Sequence, residues 1–174
     1  MRAIDRAWNA RSWSDYSDLL ADELVAYASG ETKSHGKQEH IAKAKVFCSA
    51  FPDNRVYTDP YLDLFSNEDG SKTCSIARIA GTMTGSLETS SALIQPNHRE
   101  FDVTFTAVCK WRNGKITDQR EYFDMELMLS QLQLQEKSDT DPIHGGETNA
   151  NSNRSKSSSA ERTDRECTTG HQPT

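Results

Sequence analysis

Residues 110–134 read KWRNGKITDQREYFDMELMLSQLQL, and how this stretch divides decides the fold. Asn113-Gly114 is a two-residue hairpin signal, because a type I′ turn needs positive φ at both central positions. The stretch is therefore expected to hold the end of one strand, a tight turn, a second strand and a closing helix. Period-2 alternation sorts the second strand into two faces. Ile116, Asp118, Arg120, Tyr122 and Asp124 lie on one, and Thr117, Gln119, Glu121 and Phe123 on the other. Neither face is apolar enough to be plain core, so one looks onto water or lines a hollow that holds charged groups. The working expectation puts the even-numbered strip, ending at Asp124, against that hollow.

Upstream, the cleanest alternation is Phe101, Val103, Phe105, Ala107, Cys109 and Trp111 against Glu100, Asp102, Thr104, Thr106 and Lys110. It predicts a strand with odd residues inward. Cys74 to Thr84 reads as another strand, with Gly81 and Gly85 permitting a bend at its end. Val56 to Leu64 also alternates, but Pro60 limits it to an edge or a bulge. Before the strands, Ile4, Ala7 and Trp8 predict a short helix. Ser12 or Ser14 caps a second one anchored by Tyr16, Leu19 and Leu20. Leu24 to Ala28 is a candidate edge strand. Ile41, Ala44, Phe47, Cys48 and Phe51 predict a longer amphipathic helix that Pro52-Asp53-Asn54 ends. After the last strand, Met125 to Leu134 is expected to bring Leu127, Met128, Gln131 and Leu132 to the sheet. Helices first, then antiparallel strands, then a helix is an α+β order: a curved sheet with helices on its concave side. Such a bend leaves an opening at one end, a favoured ligand site.

Composition changes after Gln135. From residue 136 to 174 Ile143 is the only large aliphatic or aromatic residue. Such a segment cannot offset roughly 1–2 kcal/mol of backbone entropy per residue. The expected division is a domain over 1–135 and a disordered polar tail over 136–174. The chain has 174 residues and a net charge of −6, which argues against nucleic acid or anionic membrane as partner. No apolar run reaches the roughly 18 residues a spanning helix needs, and the start lacks a secretory h-region, so a cytoplasmic protein is expected. The four cysteines show no CxxC pair and read as buried thiols rather than a disulfide or metal site.

Four blocks carry a family resemblance: WNARSWSDYSDLLADELVAY (8–27), AFPD (50–53), ARIAGTMTG (77–85) and WRNGKITDQREYFDMELMLSQL (111–132). In order and spacing they resemble the SnoaL-like polyketide-cyclase branch of the nuclear-transport-factor-2-like superfamily. The resemblance spans about residues 4–134. It implies a cone-shaped α+β barrel with an apolar pocket, a homodimer, and an aspartate acting as general acid/base for an aldol closure without cofactor or metal. In this sequence that aspartate is Asp124. Met83 stands where many relatives carry His, and Asn97-His98 where they carry Thr-Gly.

Each candidate has a plainer reading beside it. Asp124 is also the natural N-cap of the following helix, a role that lowers its pKa whereas an acid's role needs it raised. An apolar site can keep a carboxyl neutral near pH 7. Arg78, inside CSIARIAG, either pairs with a carboxylate in the pocket or points out of an open sheet. Tyr122 and Tyr57 are hydroxyl donors or amphipathic core residues. Arg120 shares the strip of Asp124, and His98 sits in the loop before the long strand. His35 and His40, five apart, do not meet on a helix face, and no metal set is expected. The reading is a cofactor-free cyclase or isomerase acting on a small apolar carbonyl compound, with Asp124 catalytic. Tyr122, Tyr57, Arg78, Arg120 and His98 would be substrate-binding. The alternative is a non-catalytic ligand-binding or dimerisation module.

Overall fold

Ile4 and Ala7 bury one side of helix α1 (Arg2–Ala10), which ends where Arg11 turns left-handed at φ 55. There the N–H groups of Arg11 and Ser12 close on the carbonyls of Trp8 and Ala7. Helix α2 (Trp13–Asp18) follows and buries Tyr16. It stops one residue short of the predicted anchors, because Leu20 opens strand β1 (Leu20–Tyr27). Helix α3 (Lys37–Ala50) buries His40, Ile41, Ala44 and Cys48. The remaining elements are strands β2 (Arg55–Tyr57), β3 (Asp63–Ser66), β4 (Lys72–Thr82), β5 (Leu87–Glu88), β6 (Leu93–Ile94), β7 (Glu100–Arg112) and β8 (Lys115–Phe123), and helix α4 (Met125–Gln131). This computed structural model describes residues 1–88 and 93–134. The expected tail, with Cys167, lies outside the described residues.

The main sheet runs β1-β8-β7-β4-β2, with β3 also on β4. Both segments flanking Pro60 pair with the outer edge of β4, as a residue without an N–H requires. Strand β1 lies at the other edge, parallel to β8. The predicted inward face of β7 is met: Phe101, Val103, Ala107 and Cys109 are all buried. Two apolar clusters fill the concave side. One gathers Phe51, Ile79, Met83, Phe101, Val103, Met128 and Leu132; the other gathers Ile4, Tyr16, Leu20, Leu24, Ile41, Cys109 and Ile116. Trp8 and Phe105 touch both. Met83 is thus pure core.

The turn forms as predicted, with Asn113 at φ 51 and Gly114 at φ 75. The strand after it does not alternate without a break. Trp111 pairs with Ile116, but Lys110 pairs with Asp118, so Thr117 is an extra residue on β8. A β-bulge of this kind moves every later side chain to the opposite face. Ile116 is therefore buried, and from there on the odd residues Gln119, Glu121 and Phe123 face inward, opposite Cys109, Ala107 and Phe105. The expectation that the Asp118–Asp124 strip looks into the hollow is overturned. Helix α4 closes the end of the cone with Met128 and Leu132 buried, whereas Leu127, expected at the sheet, is exposed. Gln131 clasps the backbone of Asp102 through two hydrogen bonds of 2.9 and 3.1 Å, extending the exposed edge of β7 past the end of β8.

Candidate functional site

A cavity of about 670 Å³ opens where the two clusters meet. Its walls are Trp8, Phe47, Phe101, Phe105 and Phe123 with Ile4, Val56, Ile79 and Val103. The polar groups that reach it come from four places: Asp5 on α1, Tyr16 on α2, His35 and His40 before and on α3, and Gln119 and Glu121 on β8. Glu31, Glu39 and Lys43 also line it, tied to one another, with Lys43 Nζ at 2.6 Å from Glu31 and 3.3 Å from Glu39.

Glu121 is the carboxyl carried inward by the bulge. Its Oε1 accepts a 2.6 Å hydrogen bond from Gln119 Nε2. Burial pushes its pKa up to about 7; the Gln119 bond opposes this, and the negative charges of Asp5 and Glu31 add to it. Gln119 Oε1 is buried without a hydrogen-bond partner among the described residues. Turning that amide over would let it accept from a protonated Glu121, so the pair can hold the carboxyl in either state. Asp5 is raised too, by burial, but the Tyr61 hydroxyl donates to its Oδ2 at 2.5 Å and partly offsets the rise. An apolar hollow holding a carboxyl that titrates near neutrality can take a proton from carbon or return one.

None of the six residues predicted from the sequence lines this cavity. Asp124 is exposed, and its Oδ1 accepts from Leu127 N at 2.8 Å, the capping role. The acid/base assignment at Asp124 is corrected on this ground: a carboxylate turned toward its own helix in water meets no ligand in the cone. Tyr122 is 52% exposed on the outer face. Arg120 is also outside, stacked over Tyr27 at 4.5 Å. Arg78 does pair with a carboxylate, Asp102 at 2.6 Å, but in solvent and over the ring of exposed Tyr57. Tyr57 and Arg78 share a separate open depression with Asp53, Thr82 and Gln131. His98 is exposed in its loop at φ 58.

The sequence reading missed Glu121, Gln119, Asp5, Tyr16, His35 and His40. The pair of histidines was dismissed because five residues do not bring two side chains together on a helix. The chain puts only His40 on α3; His35 lies before it, in a β-bridge to Ala26, and their rings stack at 5.3 Å. Among the described residues no group of three or more His, Cys, Asp or Glu side chains is placed to hold a metal ion. Cys48, Cys74 and Cys109 are free thiols.

The model of the SnoaL-like polyketide cyclases matches residues 1–132. The chain belongs to the SnoaL-like polyketide cyclase family. No curated protein sequence matches it. Solved structures carry the same fold at low identity. IdmH, a candidate polyketide cyclase from Streptomyces antibioticus, is 18% identical with a TM-score of 0.63, over 76% of this chain and 94% of that one. A candidate polyketide cyclase from Xanthomonas campestris is 15% identical with a TM-score of 0.65, over 75% and 92%. A ketosteroid isomerase-like protein from Catenulispora acidiphila, solved with trimethylamine, is 14% identical with a TM-score of 0.58, over 75% and 88%. At these identities the likeness speaks for the fold, the family's curved and unclosed α+β sheet. Among the described residues no helix is long and apolar enough to cross a membrane.

Proposed function

We propose that this SnoaL-like domain binds a small, mostly apolar carbonyl compound in the cone and moves a proton on it without a cofactor, as a cyclase or isomerase does. The role first assigned to Asp124 passes to Glu121. As carboxylate it removes a proton from the carbon beside the carbonyl, and as carboxylic acid it returns one where the product needs it. The observation that carries this reading is a carboxyl inside an apolar cavity, raised by burial to about 7. A base of that strength is matched to neutral pH, where proton transfer is most effective. The homodimer implied by the family resemblance would pair the outer sheet faces, which no helix among the described residues covers.

The test is α-deuterium exchange of 2-tetralone in D₂O, followed by proton NMR. The wild-type chain should accelerate exchange above the buffer background. Glu121→Gln, which keeps shape and the Gln119 contact, should lose on the order of 10²–10⁴-fold. Asp124→Ala should exchange at the wild-type rate while losing about 1 kcal/mol of stability with its cap. Exchange that survives Glu121→Gln, or that vanishes with Asp124→Ala in a folded protein, would overturn the assignment. Binding of the ketone without exchange would leave a binding module.

A further inference from the structure

Three side chains from separate parts of the chain form a continuous hydrogen-bonded row along one wall of the cavity. The Tyr16 hydroxyl on α2 lies 2.9 Å from His40 Nε2 on α3, and His40 Nδ1 lies 3.0 Å from His35 Nε2. The three rings are nearly parallel, at 15° and 16°. The far nitrogen, His35 Nδ1, is buried and has no hydrogen-bond partner among the described residues. It faces Glu31 Oε2 at 3.3 Å, and the Glu31 side chain is 37% exposed. One end of the row is therefore a hydroxyl on the cavity, and the other an imidazole N–H site against a carboxylate that reaches water.

The geometry points to a proton relay, Glu31–His35–His40–Tyr16, that delivers a proton from solvent to the oxygen of the bound carbonyl compound while Glu121 works at the carbon. This rests on the carbonyl chemistry proposed above and adds its acid. In the loaded state His35 carries both N–H protons, His40 is protonated on Nε2, and the Tyr16 O–H points at the ligand oxygen. As Glu121 removes the α-proton, the developing enolate oxygen takes the Tyr16 proton. Tyr16 takes one from His40 Nε2, and His40 Nδ1 takes one from His35 Nε2. Charge balances: an enolate and an imidazolium become an enol and a neutral imidazole, and His40 has only exchanged tautomers. When Glu121 returns a proton to carbon, the enol proton goes back to Tyr16, the Tyr16 proton to His40 Nε2 and the His40 Nδ1 proton to His35 Nε2, which restores the row that solvent loaded beside Glu31.

The surroundings suit each member to its part. Burial, with the nearby positive charges of His35 and Lys43, lowers His40 to about 4, so it remains neutral with one donor and one acceptor nitrogen. Burial and the charges of Glu121 and Asp5 hold the Tyr16 hydroxyl well above its ordinary range, which keeps it a donor. Other charged groups facing the row are Glu31 before α3, Glu39 and Lys43 on α3, Asp5 on α1 and Glu121 on β8. Lys43 is paired with both Glu31 and Glu39, which leaves the surround of the row net negative.

The experiment is the 2-tetralone exchange rate as a function of pH for the full chain and for Tyr16→Phe, His35→Gln, Glu31→Gln and Glu121→Gln, each checked for native near-UV dichroism. Tyr16→Phe, a change of one oxygen, should lower kcat by on the order of 10²-fold with little change in KM. Glu31→Gln, at the solvent end and the least disruptive, should lower kcat and spare KM, and should add no further loss to a chain that already carries Tyr16→Phe. His35→Gln should likewise lower kcat and add no further loss to Tyr16→Phe. If Tyr16→Phe and Glu31→Gln keep the wild-type profile while Glu121→Gln abolishes exchange, the relay is wrong and the function stands. The relay is equally overturned if the Glu31→Gln and Tyr16→Phe losses multiply in the double variant, as two independent structural ties would. Wild-type chain that gives no exchange, or exchange indifferent to Glu121→Gln, overturns both.

Discussion

Glu121 and Asp124 are three residues apart and have opposite environments. Asp124 sits in water and accepts a backbone N–H, while Glu121 sits in a hollow beside Phe105, Phe123 and one amide. The difference has a thermodynamic signature. The folded chain holds the Glu121 proton up to about 7, whereas the unfolded chain releases it near the usual carboxylate value of 4.5. Between those two values the folded state binds more protons, so its stability falls as pH rises and levels off above the folded value. The loss should be on the order of 3 kcal/mol. Urea midpoints at pH 5 and pH 8.5 should differ by that amount more for wild type than for Glu121→Gln, which has no proton to lose. Equal pH slopes for the two proteins would mean that Glu121 is solvated like any surface carboxylate.

Among the elements, β8 sets the site through one supernumerary residue. Thr117 breaks the pairing between Ile116 and Asp118, and every side chain after it changes face. Deleting Thr117 would leave Ile116, Asp118 and Gln119 opposite Trp111, Lys110 and Cys109 as a plain ladder, so Gln119, Glu121 and Phe123 should keep their inward face. The only register that would bring Asp118 and Arg120 into the cone buries unpaired charges at a cost of several kcal/mol, so the deletion variant should fold and keep ketone exchange. A folded deletion variant without exchange would show that this pairing does not set the face of β8. Thr117→Val, which keeps the extra residue, should fold and retain exchange. The hairpin turn was legible in Asn113-Gly114 because positive φ is a local demand of the backbone. The bulge was not, because an extra residue costs nothing locally. It is selected by what lies across the strand, Cys109 opposite Gln119 and Trp111 opposite Ile116.

At the scale of the fold, the described residues cover one side of the sheet with helices and put none on the other. Helices α1 and α3 flank the cavity, while the outer face presents Ile76, Thr106 and Tyr122 in one row across three strands, with Val108 beside them. If the chain dimerises as the family resemblance implies, this is the face that gains most from being covered. Light scattering after gel filtration should give a dimer for wild type and a monomer for Val108→Lys or Ile76→Lys. A wild-type monomer at high micromolar concentration would remove the outer face from consideration. The cavity lies on the opposite side of the sheet, so these variants should keep ketone exchange if the site is complete within one chain.

The sequence by itself determined the α+β order, the inward face of β7, the helix on Ile41, Ala44 and Cys48, the turn and the closing helix. Each of these is written in local propensity or in unbroken periodicity, which neighbouring residues are sufficient to impose. Only the tertiary structure decided which carboxyl enters the cone and that Tyr16, His35 and His40 meet there. Those facts depend on cross-strand register and on the packing of segments distant in the chain, and no local pattern records either.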